Sequence, residues 1–329
     1  MPLHRRHLLG AAGAGLLLGA APLARTQAAD TVRLFVGFPA GTTPDTLARK
    51  VGEKLVQSGH AKAVVVENRA GAGGQLGVTA LKGAPADGSH LLLTPMSMLG
   101  VYPFTYKKLP YDPAADVTPV SMGASFDYGI AVGPGVPESV KDIPGLMAWF
   151  KANPAKANIG SPATGSTLHF TAVTLGRAAG VEVTHVGYRG STPALQDLIG
   201  GSLPALCSPL GTFLSHMTPN SKLRLLASSG AKRSRFSPQV PTLAEQGFKD
   251  LVFDEWYGFY LPAKASDEAV RRLNAALHQA LKAPEVIETL HSAGMESSPS
   301  TPSELAAALQ RDIKIWGPIV KSIGFTADS

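Results

Sequence analysis

The sequence predicts an α/β protein built from two similar units, and three observations carry that prediction. Strand-like and helix-like segments alternate along most of the chain. The same device occurs twice: a short strand, a small-residue loop containing glycine, a hydroxyl residue, then an amphipathic helix. The length of 329 residues is enough for two domains, at about 150 residues each.

The chain begins with a segment expected to lie outside the fold. His4-Arg5-Arg6-His7-Leu8-Leu9 precedes an apolar run from Gly10 to Ala21, and Thr26-Gln27-Ala28 supplies a small-x-small end before Ala29 and Asp30. A basic start, a short apolar middle and a small-residue end make an export signal over residues 1–29, cleaved near Ala28/Ala29. The arginine pair resembles a twin-arginine signal. The run is short for a bilayer span of about 20 residues. An uncleaved anchor is the alternative. Export places the mature chain in a bacterial periplasm.

The first strand covers Arg33 to Phe38 and leads into Phe38-Pro39-Ala40-Gly41-Thr42-Thr43-Pro44-Asp45. Leu47, Val51 and Leu55, four apart, mark a helix with Thr43 as N-cap, Pro44 at its first position and Asp45 in its first turn. Such a loop aims unpaired N–H groups and a positive dipole end above the sheet. It also fits a capped turn that binds nothing. A buried strand follows over Ala63–Glu67, then Asn68 to Gly77, glycine-rich but without dinucleotide spacing, hence a tight turn. His90–Thr94 is a strand, and Ser97 just beyond it is either a ligand contact or a turn serine. The four prolines between 103 and 119 predict irregular chain.

The second unit starts near Tyr128–Val132, an extended run. Ile143–Asn153 is an amphipathic helix and Asn158–Gly160 a strand. Ser161-Pro162-Ala163-Thr164-Gly165-Ser166-Thr167 then opens a helix bearing Leu168, Val173 and Leu175. This repeat of the opening device points to anion capture. Val181–Val186 alternates as a strand, closed by Tyr188-Arg189-Gly190. A helix runs through Ala194–Ile199, and Leu203–Leu206 and Leu223–Ser228 are short strands. Phe253–Tyr260 is a long aromatic strand. Three helices follow, capped by Ser266, opened by Pro284, and started by the capping box Thr301-Pro302-Ser303-Glu304.

The net charge of +6 includes Arg5, Arg6 and Arg25 of the export segment. The remainder is weakly basic, with no basic run or aromatic-basic alternation, so no nucleic-acid partner is expected. The single cysteine, Cys207, permits neither an internal disulfide nor a cysteine zinc site and suits a core position. No His-x-x-x-His pair occurs, so His169 and His185 are expected to be structural or ligand-contacting, with no metal and no cofactor. Gly-x-Ser-x-Gly is absent. Ser166 and His169 share a helix face but have no acidic partner at a readable spacing. Asp45 has no second carboxylate beside it.

An ordered set of segments resembles the Bug family, the periplasmic solute receptors of tripartite tricarboxylate transporters. The segments are Phe38-Pro39-Ala40-Gly41 with Asp45, Ala48 and Arg49; Val66-Glu67-Asn68-Arg69 with Gly71 to Gly74; and Ala84-Pro85-Ala86-Asp87-Gly88. Ala152-Asn153-Pro154, Ser166-x-x-His169, Tyr188-Arg189-Gly190, Pro241 to Gly247 and Trp256-Tyr257-Gly258 complete it. The resemblance implies a type II periplasmic-binding fold of two α/β lobes joined by crossing strands, without enzymatic activity. It divides the chain into lobe one (30–126), lobe two (127–255) and a return to lobe one (256–329).

It also implies a small carboxylate ligand: a di- or tricarboxylate, an acidic amino acid or an aromatic acid, held mainly by loop amides, hydroxyls and water. Membrane components of the transporter would be partners of a monomer. The family's first ligand loop falls on Phe38 to Asp45, so the expected contacts there are Phe38, Ala40, Gly41, Thr42, Thr43 and Asp45. Ser97 is added by its place just past the third strand. In the second unit they are Ser161, Thr164, Gly165, Ser166, Thr167 and His169, with Tyr188 and Gly190. Thr42 stands where the family usually has a second glycine. The expected role of Asp45 is to turn back onto local N–H groups, leaving loop amides for the ligand. The alternative functions are an exported serine hydrolase using Ser166 and His169, and a sensor that signals instead of feeding a transporter.

Overall fold

A computed structural model describes residues 29–328; the expected export signal at 1–29 lies outside them except for its last residue, Ala29. In β1 (Ala29–Val36) Val32, Leu34 and Val36 are buried while Thr31 and Arg33 are exposed. β1 lies parallel between β2 (Ala61–Asn68) and β3 (His90–Pro95). The connection from β1 to β2 is α1 (Thr43–Gln57), whose Leu47, Val51 and Leu55 are fully buried. A tight turn at Ala72–Gly74 and α2 (Gln75–Lys82) connect β2 to β3. The glycine-rich segment packs backbone on backbone: a Cβ on Gly37 would lie 2.4 Å from the Gly74 carbonyl oxygen. Two short helices follow, α3 (Met96–Gly100) and α4 (Tyr102–Thr105).

β4 (Val117–Val132) is the long element, with 16 residues. Val117 to Asp127 pairs antiparallel with β9 (Asp254–Pro262), which also pairs with β3. From Tyr128 onward β4 pairs instead with β7 (Ala205–Pro209), and from Gly129 with β8 (Arg224–Ser228). β4 thus belongs to two sheet regions, one in each lobe. The second lobe adds α5 (Ile143–Ala152), β5 (Asn158–Ser161), α6 (Thr167–Ala178), β6 (Thr184–Gly187), α7 (Ser191–Gly200) and α8 (Gly211–Leu214). The strand order is β2-β1-β3-β9-β4-β7-β5-β6. α9 (Asp267–Leu281), α10 (Pro284–Ser292), β10 (Glu296–Ser297) and α11 (Pro302–Ile323) return to the first lobe, where α9, β10 and α11 contact β4. The two sheet regions make two α/β lobes joined through β4.

Several local expectations are corrected. The N-cap of α1 is Thr42, not Thr43, and Pro44 occupies the second helical position. The proline-rich stretch 103–119 holds the rest of α4 and the start of β4. The strand expected from Val181 begins only at Thr184, opposite Asn158 where its partner β5 starts, and Val183 before it packs against Gly176 of α6. β7 starts at Ala205 because Pro204 has no N–H to donate. Cys207 is a buried core residue.

Candidate functional site

The two helix-start loops have matching backbones. Gly41 and Gly165 each adopt φ +78°, and each stands immediately before an N-cap hydroxyl residue, Thr42 or Ser166. A left-handed residue there turns the chain from strand direction to helix direction, and glycine does so without the Cβ penalty. The Ser166 hydroxyl accepts from His169 N–H at 3.4 Å and donates to the Ala163 carbonyl at 2.7 Å. The Thr42 hydroxyl donates to the Pro39 carbonyl at 2.7 Å and does not cap its helix.

Both loops face one cavity between the lobes. Phe38, Thr42, Thr43 and Pro44 wall one side, with Pro95 at the end of β3 and Ser97 and Met98 just beyond it. Pro162, Ala163, Ser166 and Leu168 come from the opposite lobe, with Ser191 and Pro209. The crossing strands supply Phe126, Glu255 and Tyr257. The cavity volume is about 30 Å³, room for one or two waters by the usual measure. Among the described residues no lysine, arginine or histidine lines it. The lobes also touch at its rim: the Tyr106 hydroxyl donates to the Thr164 carbonyl at 2.8 Å and the Thr105 hydroxyl to the Gly165 carbonyl at 3.2 Å.

Of the residues expected to touch ligand, Phe38, Thr42, Thr43, Ser97 and Ser166 line this cavity. Asp45 is buried behind the first loop and turns back on it. Its carboxylate accepts from Gly41 N–H at 2.8 Å, Arg49 Nε at 3.0 Å and Asn68 Nδ2 at 2.9 Å. Burial alone would raise the Asp45 pKa, but the hydrogen bonds from Arg49, Gly41 and Asn68 outweigh it and hold the carboxyl below its ordinary value. The Gly41 amide is therefore occupied and not free for a ligand. The Gly165 amide is likewise occupied, donating to His169 Nδ1 at 3.0 Å, and the Thr167 amide donates to Ser97 Oγ at 3.3 Å.

Ala40 is exposed, and Ser161, Thr164, Thr167 and His169 lie behind the second loop wall. The Tyr188 hydroxyl donates to Asp197 at 2.8 Å, outside the cavity lining. Gly190 packs against Pro39 across the cleft, where a Cβ would lie 2.8 Å from Pro39 Cδ.

Ser166 and His169 do not form a nucleophile–base pair. The hydroxyl proton points to Ala163, and the ring's Nδ1 accepts the Gly165 amide. His169 stacks on His185 at 3.7 Å between ring centroids, and His185 Nε2 bonds the Ser161 hydroxyl at 2.7 Å. Burial, with the nearby His185 adding to it, lowers the His169 pKa to about 3, and burial lowers that of His185 to about 4. Both rings are neutral at neutral pH.

Sequence reasoning missed the most heavily bonded group in the cavity wall. Glu255 is 1% exposed. Its Oε1 accepts from Ser97 N–H at 3.0 Å and Ser97 Oγ at 2.6 Å; its Oε2 accepts from Thr167 Oγ1 at 2.6 Å and Tyr128 OH at 3.1 Å. Burial pushes its pKa up and those four bonds pull it back only in part. The available signal was an acid on the inward-facing register of an aromatic strand. Beside it, the Tyr257 hydroxyl bonds Thr43 Oγ1 at 2.7 Å and its ring stacks on Phe126 at 4.6 Å.

A family model described as "Tripartite tricarboxylate transporter family receptor" matches residues 47–325. The protein BugT of Bordetella pertussis is 30% identical over 316 residues, covering 94% of this chain and 96% of that protein. A Rhodopseudomonas palustris protein solved with adipate superposes with TM-score 0.85 and 27% identity, covering 91% of this chain and 99% of that one. MatC from the same organism, with bound malate, gives TM-score 0.82 and 26% identity, covering 88% and 99%. With the matching architecture, these likenesses settle the family: the chain belongs to the periplasmic receptors of tripartite tricarboxylate transporters.

Proposed function

We propose that this protein captures a small carboxylate in the cavity between its lobes and delivers it to the membrane components of a tripartite tricarboxylate-type transporter. The observation that carries this reading is the meeting of two helix starts from opposite lobes in one cavity, each with a hydroxyl in its lining: Thr43 of α1 and Ser166 at α6. The first-turn amides of Thr43 and Leu168 have no intrahelical acceptor, so they add donors where the dipoles favour an anion. With the Gly41 and Gly165 amides turned inward, hydroxyls and first-turn amides carry the recognition.

The malate and adipate of the similar structures, both dicarboxylates, support a small carboxylate with a short carbon body as the ligand. The mostly apolar lining from Phe38, Pro95, Met98 and Tyr257 suits that body. Ligand sites commonly measure about 300–1,000 Å³, so the lobes must part to admit such a molecule. We place the hinge where the ladders change, at Asp127–Tyr128 and Phe253–Asp254. Closure around the ligand then presents the joined lobes to the transporter. The receptor acts as a monomer in the periplasm after removal of residues 1–28.

Thermal unfolding against a panel including malate, adipate and benzoate tests this, beside an ester-hydrolysis panel. The expected result is concentration-dependent stabilisation by one or more carboxylates and no turnover. Ester turnover without carboxylate stabilisation would overturn the reading.

A further inference from the structure

The cavity proposed to take an anion contains an acid and, among the described residues, no lining cation. An ionised carboxylate ligand beside an ionised Glu255 would place like charges together in a closed, poorly solvated space, which is strongly unfavourable. The hydrogen-bond network around Glu255 offers a way out. Of its four donors only the Ser97 N–H is obliged to donate. The other three, Ser97 Oγ, Thr167 Oγ1 and Tyr128 OH, are hydroxyls that both donate and accept.

Ser97 Oγ and Thr167 Oγ1 also lie 3.0 Å from each other. With Glu255 ionised, both hydroxyls donate to it. With Glu255 protonated on Oε2, that O–H donates to Thr167 Oγ1, the Thr167 hydroxyl turns to Ser97 Oγ, and Ser97 still donates to Oε1. Tyr128 continues to donate to the remaining lone pair of Oε2. Every polar atom stays paired in both states, so the site accommodates a change of charge without a change of shape.

We propose that carboxylate capture takes up a proton at Glu255, so that affinity rises as pH falls. The proton comes from solvent or its buffer acid, a new O–H bond forms on Oε2, and the site's net charge with ligand bound stays that of the ligand alone. This inference rests on the carboxylate reading of the cavity. The other titratable groups around Glu255 are Tyr128 of β4, Tyr102 of α4, Cys207 of β7 and Tyr257 of its own strand. Burial raises the pKa of each, keeping them neutral. His169 and His185 titrate far below the window used. Asp127, in the adjoining part of β4, is a separate titrating group: burial, with Asp254 and Glu296, raises it to about 6. Its surroundings also include Lys232, Arg233 and Arg235.

The test is calorimetry of the best-stabilising panel carboxylate between pH 6.5 and 8.5, where an ordinary carboxylic acid is fully ionised. Each pH is run in two buffers of different ionisation enthalpy, which counts protons. The expected result is net proton uptake, approaching one per ligand, and an affinity that falls by up to about tenfold per pH unit. Glu255→Gln should abolish both the uptake and the slope, while Asp127→Asn should leave the slope in place. Infrared difference spectra of the unmodified protein should gain a protonated-carboxyl band when ligand is added, which covers the case of a Glu255→Gln variant that does not fold. Binding without proton uptake, a slope that survives Glu255→Gln, or no new carboxyl band overturns this inference alone. Failure of every carboxylate to bind at any pH overturns it together with the proposed function.

Discussion

Replacing Asp45 by alanine removes the acceptor that folds the first loop onto α1. Three donors converge on this carboxylate, from Gly41, Arg49 and Asn68 at 2.8, 3.0 and 2.9 Å. The Arg49 side chain is 50% exposed, so its arm is screened and contributes at most about 1 kcal/mol. The Gly41 and Asn68 bonds reach a buried charged acceptor, and bonds of that kind contribute about 1.5–3 kcal/mol each. They share one acceptor, and Asn68 keeps its bond to the Phe38 carbonyl at 2.9 Å. The expected loss for Asp45→Ala is therefore less than the sum, about 3 kcal/mol at neutral pH. In a domain of about 150–250 residues that lowers Tm by roughly 6–12 °C.

The pH dependence has a definite sign. The folded-state pKa of Asp45 lies below its unfolded value. Its contribution is complete above about pH 4 and declines as pH falls through the lower folded value. Denaturant unfolding of parent and variant, read as midpoints at constant m, should show the full gap near pH 7 and a smaller one near pH 3. A loss under about 1 kcal/mol at neutral pH, or a gap that widens on acidification, would refute the reasoning.

Other outcomes follow from the same geometry. Ser166→Ala removes one cavity hydroxyl and should weaken carboxylate binding by about 1 kcal/mol, or several-fold, in calorimetry; abolished ester turnover with binding intact would instead favour a hydrolase. Gly41→Asp adds a negative charge beside the anion and a side chain at φ +78°, so binding should disappear, and parental affinity would show that the site is misplaced. NMR titration of His169 and His185 should show neither ring titrating between pH 5 and 8, because both folded values are depressed. The unfolded chain takes up these protons first, so stability should fall as pH drops below about 6.5; a ring midpoint near that value would contradict the buried stack. Lysine at Arg5 and Arg6 should trap the precursor if the twin-arginine route is used, whereas unchanged export would point to the general secretory route.

The fold was legible wherever a periodicity was imposed by burial. Leu47, Val51 and Leu55 announced α1, and Phe253 to Tyr260 announced β9. The capping box at Thr301 and Glu304 forms as its spacing implied. The site was legible only in part, because sequence shows which loops meet a cleft but not which way their donors point. Nothing in Gly41-Thr42-Thr43 shows that Asp45 takes the Gly41 amide, since that depends on Asn68, which arrives from β2. The N-cap of α1 was placed one residue late, at Thr43, for a similar reason: the Thr42 hydroxyl serves Pro39 and makes no capping bond. Glu255 was hidden because its partners Ser97, Tyr128 and Thr167 are far from it in sequence and meet only when both lobes fold around the crossing strands.

A crystal structure of the protein grown with the best-stabilising carboxylate tests the central claim most directly. The account predicts a ligand carboxylate between the starts of α1 and α6, within hydrogen-bond distance of Thr43 and of Ser166 or the Leu168 amide. Its carbon body should lie against Phe38 and Tyr257. Ligand density confined to another surface, or a carboxylate held by a lysine or arginine away from both helix starts, would contradict it.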